Sequence, residues 1–299
     1  MTAGERRGLR YGLGFCGLWI VGLGVFTVYP VLASLYYSFC DYSVLQRAVW
    51  TGAENYRRMA GDSLFWLSLR NTFVYAALSL PLGMAVSLSL ALLLNTGVRG
   101  MPLFRTIFYL PSIVPVVAGS MLWLWIFNGQ YGVLNWALGP LCRWVGAQPP
   151  GWLADPAWAK PALALMSVWG VGNSMIIYLA GLQNVPHELY ESAELDGANW
   201  WRRLWHVTLP MISPVIYFNL VMGIIGTLQT FTTVFVMTGG AAGSPARSTL
   251  FYALYLFSCA FHDLRMGYAS AMAWVLFLLI VALTLLATRI ASRRVYYAG

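Results

Sequence analysis

Residues 71–94 read NTFVYAALSLPLGMAVSLSLALLL, an apolar stretch without Asp, Glu, Lys, Arg or His. A helix rises about 1.5 Å per residue, so about 20 apolar residues cross the hydrocarbon core of a bilayer. The stretch is therefore long enough to span a membrane. Buried helices of soluble domains are usually shorter and carry a polar side, so this stretch predicts a transmembrane helix.

Five further stretches of the same kind occur. The six lie at residues 11–37, 71–94, 106–127, 161–182, 211–236 and 268–287. Hydrophobic residues make up 59% of the chain, charged residues make up 9%, and the mean hydropathy is +0.66. A charge at the bilayer centre costs about 2.5–3.5 kcal/mol on insertion scales, and every charged residue falls outside the six stretches. The sequence predicts an all-α membrane protein with six transmembrane helices.

Both ends of the chain are basic, and an even number of spans places them on one side of the membrane. The cations are Arg6, Arg7 and Arg10 at the start and Arg289, Arg293 and Arg294 at the end. Because Lys and Arg favour cytoplasmic segments, we expect residues 1–10 and 291–299 in the cytoplasm and residues 11–290 as one transmembrane domain. The net charge of +8 follows from this bias and does not indicate nucleic-acid binding.

The first stretch and the cysteines each allow a second interpretation. The stretch is longer than the apolar region of a signal peptide, about 7–15 residues, and is interpreted as an uncleaved helix. The cysteines lack a Cys-x-x-Cys spacing, so the sequence indicates neither a metal site nor a redox motif. The sequence does not decide whether two of Cys40, Cys142 and Cys259 form a disulfide.

One polar segment interrupts the apolar pattern, at residues 186–214 (PHELYESAELDGANWWRRLWHVTLPMISP). Pro186 suits the first turn of a helix, and Gly197 suits the left-handed position that ends one. A second helix is expected from Ala198, with one apolar face. That face contains Trp201, Leu204, Trp205 and Thr208. The segment predicts helix, glycine break and helix on the cytoplasmic side.

We call residues 184–210 the elbow. They end at Pro210, where the fifth span is expected to begin. Its acidic residues favour a basic protein surface as the partner, since the inner leaflet is anionic. The alternative is an amphipathic segment that lies on the lipid surface and is anchored by its tryptophans. The spacing of the residues leaves both interpretations open.

The elbow resembles the EAA loop of the permease subunits of binding-protein-dependent ABC importers. The family core E-A-A-x-x-x-G matches Glu191, Ser192, Ala193 and Gly197, with Ser192 as the one departure. Further short strings, among them residues 38–42 and 267–271, are similar to the maltose-type carbohydrate branch, although Ala241 stands where that branch usually has Pro. The resemblance implies that ATPase coupling involves these four residues together with Asp196.

The resemblance also implies the partners and the location. They are a second permease subunit, expected to be a homologous different chain, two ATPase subunits, an extracytoplasmic solute-binding protein, and the inner (plasma) membrane of a prokaryote. ATP and Mg²⁺ would bind the ATPases, and this chain would hold no cofactor and catalyse no reaction. The sequence agrees, because a P-loop requires Lys before Ser or Thr and the single lysine, Lys160, precedes Pro161.

Polar uncharged side chains gather in the fourth and fifth stretches. The substrate-pathway candidates are Asn173, Asn219, Thr227, Gln229, Thr230 and Phe231. Hydroxyl and amide groups beside an aromatic ring suit a sugar. A phosphorylated cargo such as glycerol-3-phosphate would favour a basic residue within a span, and none is present, but helix N-termini or the second permease could hold an anion. The same polar groups could instead join helix to helix.

Two other functional classes need residues that the spans lack. A proton-coupled secondary carrier is expected to have Asp, Glu, His or Arg within the membrane, and the six stretches contain none of these four. A membrane enzyme would have to use the adjacent pair His262 and Asp263, which has no third catalytic group in the sequence nearby.

Two spans are expected to be irregular. Pro111 and Pro115 remove backbone donors from the third, and Gly223 and Gly226 weaken the fifth. Such breaks are tolerated where the backbone lines a cavity, and simple kinks are the alternative.

Overall fold

The computed structural model describes residues 3–96 and 98–291, most of which are helical. The helices are α1 (Ala3–Leu23), α2 (Tyr29–Ser38), α3 (Glu54–Gly61), α4 (Ser63–Leu94), α5 (Met101–Tyr109), α6 (Val116–Ile126), α7 (Val133–Val145), α8 (Pro156–Trp169), α9 (Gly172–Gln183), α10 (His187–Leu195), α11 (Trp200–Arg203), α12 (Leu209–Met211), α13 (Ser213–Leu228), α14 (Thr232–Met237), α15 (Tyr252–Phe257) and α16 (Met266–Ala291). Two short antiparallel strands, β1 (Cys40–Asp41) and β2 (Val49–Trp50), form a hairpin. The all-α prediction is confirmed.

Tighter or wider turns connect several of these helices. π-helical turns occupy Gly24–Val28, Leu204–Thr208 and Ser258–His262, and a 3-10 turn occupies Leu110–Ile113. The first of them joins α1 to α2 without a bend large enough to interrupt the span. Residues 3–10 are helical and continuous with the first span. The predicted C-terminal segment, 291–299, lies outside the described residues except for Ala291.

Within the described residues, three helices are long and apolar enough to cross a membrane alone: Gly14–Ser38, Ser63–Leu94 and Met266–Ala291. Three bent helix pairs bring the number to six if each pair is one span. The helices extend beyond the charge-free stretches, so Arg70 lies within α4 and Lys160 within α8. Arg105 likewise lies within α5 and Arg289 within α16. The sequence placed every charged residue outside the spans, and this prediction is wrong for these four residues.

The predicted irregularity of the third span is confirmed, because α5 and α6 meet at 97° across the segment that contains Pro111 and Pro115. The irregularity predicted for the fifth span at Gly223 and Gly226 is not found at these residues. Helix α13 runs unbroken through Gly223 and Gly226, and the chain leaves the helix only after Leu228. Glycine lowers helix stability by about 1 kcal/mol, which packing against α4 overcomes. The fourth span has a 51° break between α8 and α9 that the sequence did not predict.

The described chain divides into two compact units. The first contains the residues up to Asp62 together with Leu256–Phe277, and the second contains Ser63–Tyr255 and the residues from Leu278 onward. In the second unit, α4 packs against α8, α9 and α13. Its buried cluster includes Ala91, Met175, Tyr178 and Ile212. Helix α4 is thus the central element of this unit.

The first unit is held by buried polar contacts around its β hairpin. The side-chain amide of Asn55 donates to the carbonyl oxygens of Ser38 (3.0 Å) and Cys40 (2.8 Å). The Gly267 amide donates to the Tyr42 carbonyl at 3.0 Å. All four cysteines are free, which answers the open disulfide question for the described residues.

We expect Gly267→Ala to destabilise the first unit by about 1–3 kcal/mol, the usual cost of overpacking. An added Cβ would collide with the carbonyl oxygen of Cys40, and this backbone atom is held by Asn55. The thermal unfolding midpoint in detergent measures the effect. Gly17→Ala is the matched control, because a Cβ there meets no atom within 4 Å. Equal midpoints for the two variants would contradict the close contact.

Candidate functional site

The first arm of the elbow is α10, which begins after Pro186. Glu188 lies in the first turn, where a carboxylate is stabilised by the positive end of the helix dipole. The Ser192 hydroxyl donates to the Glu188 carbonyl at 2.8 Å. Oε1 of Glu191 lies 3.0 Å from Nδ1 of His187. This arm is a short, exposed and acidic helix.

Gly197 ends α10 as the sequence predicted. Its φ angle is +74°, a left-handed conformation that favours glycine. The Gly197 amide donates to the Glu194 carbonyl and the Ala198 amide donates to the Ala193 carbonyl, both at 2.9 Å. These two bonds form a Schellman motif, which satisfies carbonyls that the helix end would leave without partners.

The second arm starts at Trp200, two residues later than predicted, because Asn199 caps it. The Asn199 side-chain oxygen accepts from the Arg202 amide at 3.0 Å. The arm then runs through the π-helical turn Leu204–Thr208 and α12 to a 67° bend at Ile212. The fifth span therefore begins at Ser213 and not at Pro210, which lies inside the second arm.

The π-helical turn also changes the predicted apolar face. An i, i+3, i+4, i+7 pattern assumes 3.6 residues per turn, whereas a π turn is wider. Thr208 is buried, but Trp201 and Trp205 are each 62% exposed. These residues do not form one buried face. The sequence did not single out Leu195, which is 91% exposed beside the glycine break.

Two contacts brace the arms against each other. The Tyr190 hydroxyl of α10 lies 3.1 Å from the Thr208 hydroxyl of the second arm. Arg203 forms an ion pair with Glu194. These two contacts join α10 to the second arm, which ends at the bend before α13.

The predicted coupling residues lie together on the first arm and at its break. Glu191, Ser192, Asp196 and Gly197 are exposed, and Ala193 is half-buried. Beneath the elbow is a cavity of about 670 Å³. Its walls are formed by Leu92, Leu93, Asn95, Thr96, Leu182, Tyr190, Trp200, Arg203, Leu204 and Thr208.

A second cavity of about 390 Å³, which we call the polar groove, lies between α4, α8, α9 and α13. Its polar lining residues are Tyr75, Ser79, Ser87, Ser167, Ser174, Asn219, Thr227 and Thr230. None of its lining residues is charged. The groove therefore offers hydroxyl and amide groups in a span region without fixed charge, which suits a neutral polar solute.

Three of the six substrate-pathway candidates line the polar groove: Asn219, Thr227 and Thr230. Asn173, Gln229 and Phe231 are not among its lining residues; Asn173 and Gln229 are exposed. The sequence analysis missed Ser79 and Ser87 of α4. Tyr75, Ser79, Gly83 and Ser87 recur every four residues on one side of this helix, a pattern that was present in the sequence.

His262 and Asp263 form a surface pair. The His262 imidazole, 3.0 Å from the carboxylate, holds the pKa of Asp263 below its usual range, although partial burial opposes this shift. Arg265 donates to the same carboxylate at 2.7 Å and lowers its pKa further. The carboxylate is thus engaged in an ionised network. Within the described ranges, no group of three His, Cys, Asp or Glu side chains could hold a metal ion.

A braced elbow between two spans and an uncharged polar groove in the same unit are parts of a membrane transport component. The family described as "Binding-protein-dependent transport system inner membrane component" matches residues 79–296. The chain belongs to this family, and the resemblance inferred from the elbow is confirmed.

Individual relatives cover almost the whole chain. It is 42% identical over 289 residues to "Probable ABC transporter permease protein YesP" of Bacillus subtilis (strain 168), covering 96% of this chain and 92% of that protein. It is 36% identical over 267 residues to "Lactose transport system permease protein LacF" of Rhizobium radiobacter, covering 88% of each.

The fold is similar to a chain in the crystal structure of a bacterial ABC transporter involved in the import of the acidic polysaccharide alginate. The TM-score is 0.81 at 24% identity, over 97% of this chain and 96% of that one. At this identity the likeness shows the fold. The chain is accordingly an ABC importer permease that crosses the membrane several times.

We expect Asn199→Ala to loosen the second arm. Loss of an N-cap costs about 1 kcal/mol, which corresponds to roughly a fivefold change in an opening equilibrium. Hydrogen exchange of the Arg202 amide, the group that Asn199 accepts from, measures this change. Asn199→Asp is the control, because Asp also caps helices. Equal protection in the wild-type chain and the Ala variant would show that the cap does not hold the arm.

Proposed function

We propose that this permease carries a neutral sugar or oligosaccharide into the cell, driven by separate ATPase subunits that act on the elbow. The polar groove is the observation that carries the proposal. It lies between four helices of one unit, is lined by seven hydroxyl or amide side chains besides Tyr75, and has no charged lining residue. Sugar hydroxyls require such partners, and a lactose permease is among the relatives.

The orientation follows from the distribution of charge. Basic residues at both ends of the chain favour the cytoplasm, and an even number of spans keeps the two ends together. The elbow connects the fourth and fifth spans and lies on the same side. Residues 11–290 then act as one transmembrane permease domain in a prokaryotic inner membrane, between cytoplasmic segments 1–10 and 291–299.

The elbow is the proposed contact with an ATPase. Glu191, Ser192 and Asp196 offer exposed polar contacts, and Leu195 offers an apolar one. Ala193 and Gly197 shape the break between the arms. ATP and Mg²⁺ bind the two ATPase subunits, and their closure moves the elbow. Because the elbow is braced by Tyr190 and Thr208, the movement biases the spans between inward-open and outward-open states.

A second permease subunit is proposed because the polar groove is only partly enclosed by this chain. Lipid tails cannot satisfy hydroxyl and amide groups at membrane depth. A second chain that closes the groove supplies polar partners and completes the pathway. A solute-binding protein on the outer side delivers the cargo. We propose no catalytic role for this chain. The Asp263 carboxylate is already paired with His262 and Arg265 on the surface.

An anionic cargo is the second candidate. The fold is similar to that of a transporter described as importing an acidic polysaccharide. An anionic cargo would need positively charged or hydrogen-bond-donating groups along its path. In this chain such groups would be helix N-termini or residues of the second permease. Competition for uptake between a labelled neutral sugar and glycerol-3-phosphate separates the candidates.

We expect Gly197→Pro to abolish ATP-dependent uptake while membrane insertion stays intact. Proline fixes φ near −65° and removes the amide that donates to Glu194, so the Schellman motif cannot form. Uptake into proteoliposomes that contain the complete transporter, together with ATP hydrolysis, measures the loss.

Gly146→Pro is the matched control. Gly146 ends α7 with φ +72° and the same pair of backbone bonds, on the side opposite the elbow in the proposed orientation. The control is expected to keep most of the uptake. Normal transport by the Gly197 variant would refute coupling through the elbow.

We expect Thr227→Val to raise the KM for the cargo about two- to tenfold with little effect on the maximal rate. Valine keeps the shape of threonine but removes one hydroxyl, and a neutral hydrogen bond contributes about 0.5–1.5 kcal/mol. Thr233→Val is the control, because Thr233 does not line the polar groove. Equal KM values for the two variants would remove Thr227 from the pathway.

A further inference from the structure

The connection between α14 and α15, residues 238–251, is held to the rest of its unit through its backbone. We call it the outer loop, after its side in the proposed orientation. Thr249, Leu250 and Phe251 at its end are buried. A connecting segment normally lies on the surface, because buried backbone groups need partners. The partners of this loop are side chains of α4 and α8.

Asn71 and Lys160 supply most of these partners. The Asn71 side-chain amide donates to the carbonyl oxygens of Arg247 (3.0 Å) and Leu250 (3.2 Å). The Lys160 ammonium donates to the Ser248 carbonyl at 2.9 Å and to the Asn71 side-chain oxygen at 3.2 Å. One lysine and one asparagine thus bind the main-chain carbonyls of three loop residues, Arg247, Ser248 and Leu250, and each other.

Thr72 adds a bond at the start of α15. Its hydroxyl accepts from the Tyr252 amide at 2.8 Å. The loop is also folded tightly upon itself, since a Cβ at Gly243 would lie 2.5 Å from the Leu250 Cα, and the Thr249 hydroxyl donates to the Ser244 carbonyl at 2.6 Å. The bonds from α4 and α8 therefore hold a compact body in place.

This body lies at one end of the polar groove. Asn71, Tyr75 and Ser79 are four residues apart on α4 and share one side of it. Tyr75 and Ser79 line the groove, and the Phe251 ring packs on Tyr75 with centroids 4.9 Å apart. Asn71 is one turn, about 6 Å, beyond Tyr75. The buried end of the loop thus covers the outer end of the groove.

The contacts also suit a reversible closure. Within the part of the chain that the structure describes, Lys160 has carbonyl and amide oxygens as its hydrogen-bond partners and forms no ion pair with a carboxylate. Such bonds contribute less than a buried ion pair costs to break. Every bond from Asn71 and Lys160 to the loop reaches a main-chain oxygen. The exposed side chains of the loop, among them Ser244 and Arg247, are therefore left for a protein that docks from outside.

We propose that the outer loop is the outer gate of the polar groove and that Asn71 and Lys160 are positioning residues that keep it closed. This rests on the proposed transport function and orientation. Docking of the solute-binding protein releases the loop from these two residues, and Phe251 leaves Tyr75. Solute then enters the groove from outside.

Thiol accessibility in the complete transporter tests the gate. A reporter, Ser167→Cys, is introduced into the groove after the four native cysteines are replaced. Right-side-out vesicles are treated with a membrane-impermeant methanethiosulfonate reagent, without solute-binding protein. We expect Lys160→Met to raise the labelling rate at least about tenfold, and binding-protein-independent ATP hydrolysis to rise with it.

Two variants separate the gate from other effects. Arg70→Met removes a cation near Lys160. Among the contacts described, the Arg70 side chain makes none with the outer loop. The labelling rate of this variant is therefore expected to equal that of the reporter alone, unless charge by itself controls entry. Lys160→Arg keeps a cationic donor and should label more slowly than Lys160→Met. Equal acceleration by Arg70→Met and Lys160→Met would overturn the proposal.

Unchanged labelling in an assembled Lys160→Met transporter would also overturn it. If that variant does not assemble, Thr72→Val takes its place with the same two outcomes. It removes the acceptor for the Tyr252 amide, together with a bond from the Thr72 hydroxyl to the Ser68 carbonyl within α4. ATP-dependent uptake by the unmodified complex is measured first. Its absence would contradict the proposed function, whereas normal uptake with unchanged labelling would contradict the gate alone.

Discussion

Backbone amide and carbonyl groups inside a bilayer must find partners within the protein, and this requirement governs the structure. Unbroken helices meet it by themselves in α4 and α16. The other spans of the second unit are broken, and each break frees backbone groups. Gly170 and Val171, between α8 and α9, border the polar groove, as does Thr230 after α13. The break between α8 and α9 and the end of α13 therefore face a polar space.

The same requirement explains the outer loop. A loop buried in a helix bundle brings its backbone groups with it. Asn71 and Lys160 donate to its carbonyl oxygens, and Thr72 accepts from the Tyr252 amide that follows it. The single lysine of the chain is thus used where its three donors meet oxygens at the end of a span. The uncharged polar groove, the outer loop held through its main chain and the charged elbow thus occupy separate places in the second unit.

The elbow meets the requirement in water and can therefore carry charge. Its Schellman motif at Gly197 and its cap at Asn199 satisfy the helix ends, and the bridge between Tyr190 and Thr208 fixes the angle between the arms. The proposed coupling depends on these contacts, because a flexible connection would absorb a movement of α10 before it reached α13. The cavity beneath the elbow adjoins both arms.

The sequence by itself determined the six apolar spans, the family and the glycine break, because hydrophobic length and the φ requirement at Gly197 are local properties. It also identified Asn219, Thr227 and Thr230 as polar residues of the pathway region. Only the tertiary structure decided which of the candidates share a groove, since Asn173 and Gln229 point elsewhere although their composition is equally suitable. The break after Trp169, the π turn at Leu204–Thr208 and the pairing of Asn71 with Lys160 depend on packing between residues far apart in the chain. Local propensity carries no information about such contacts.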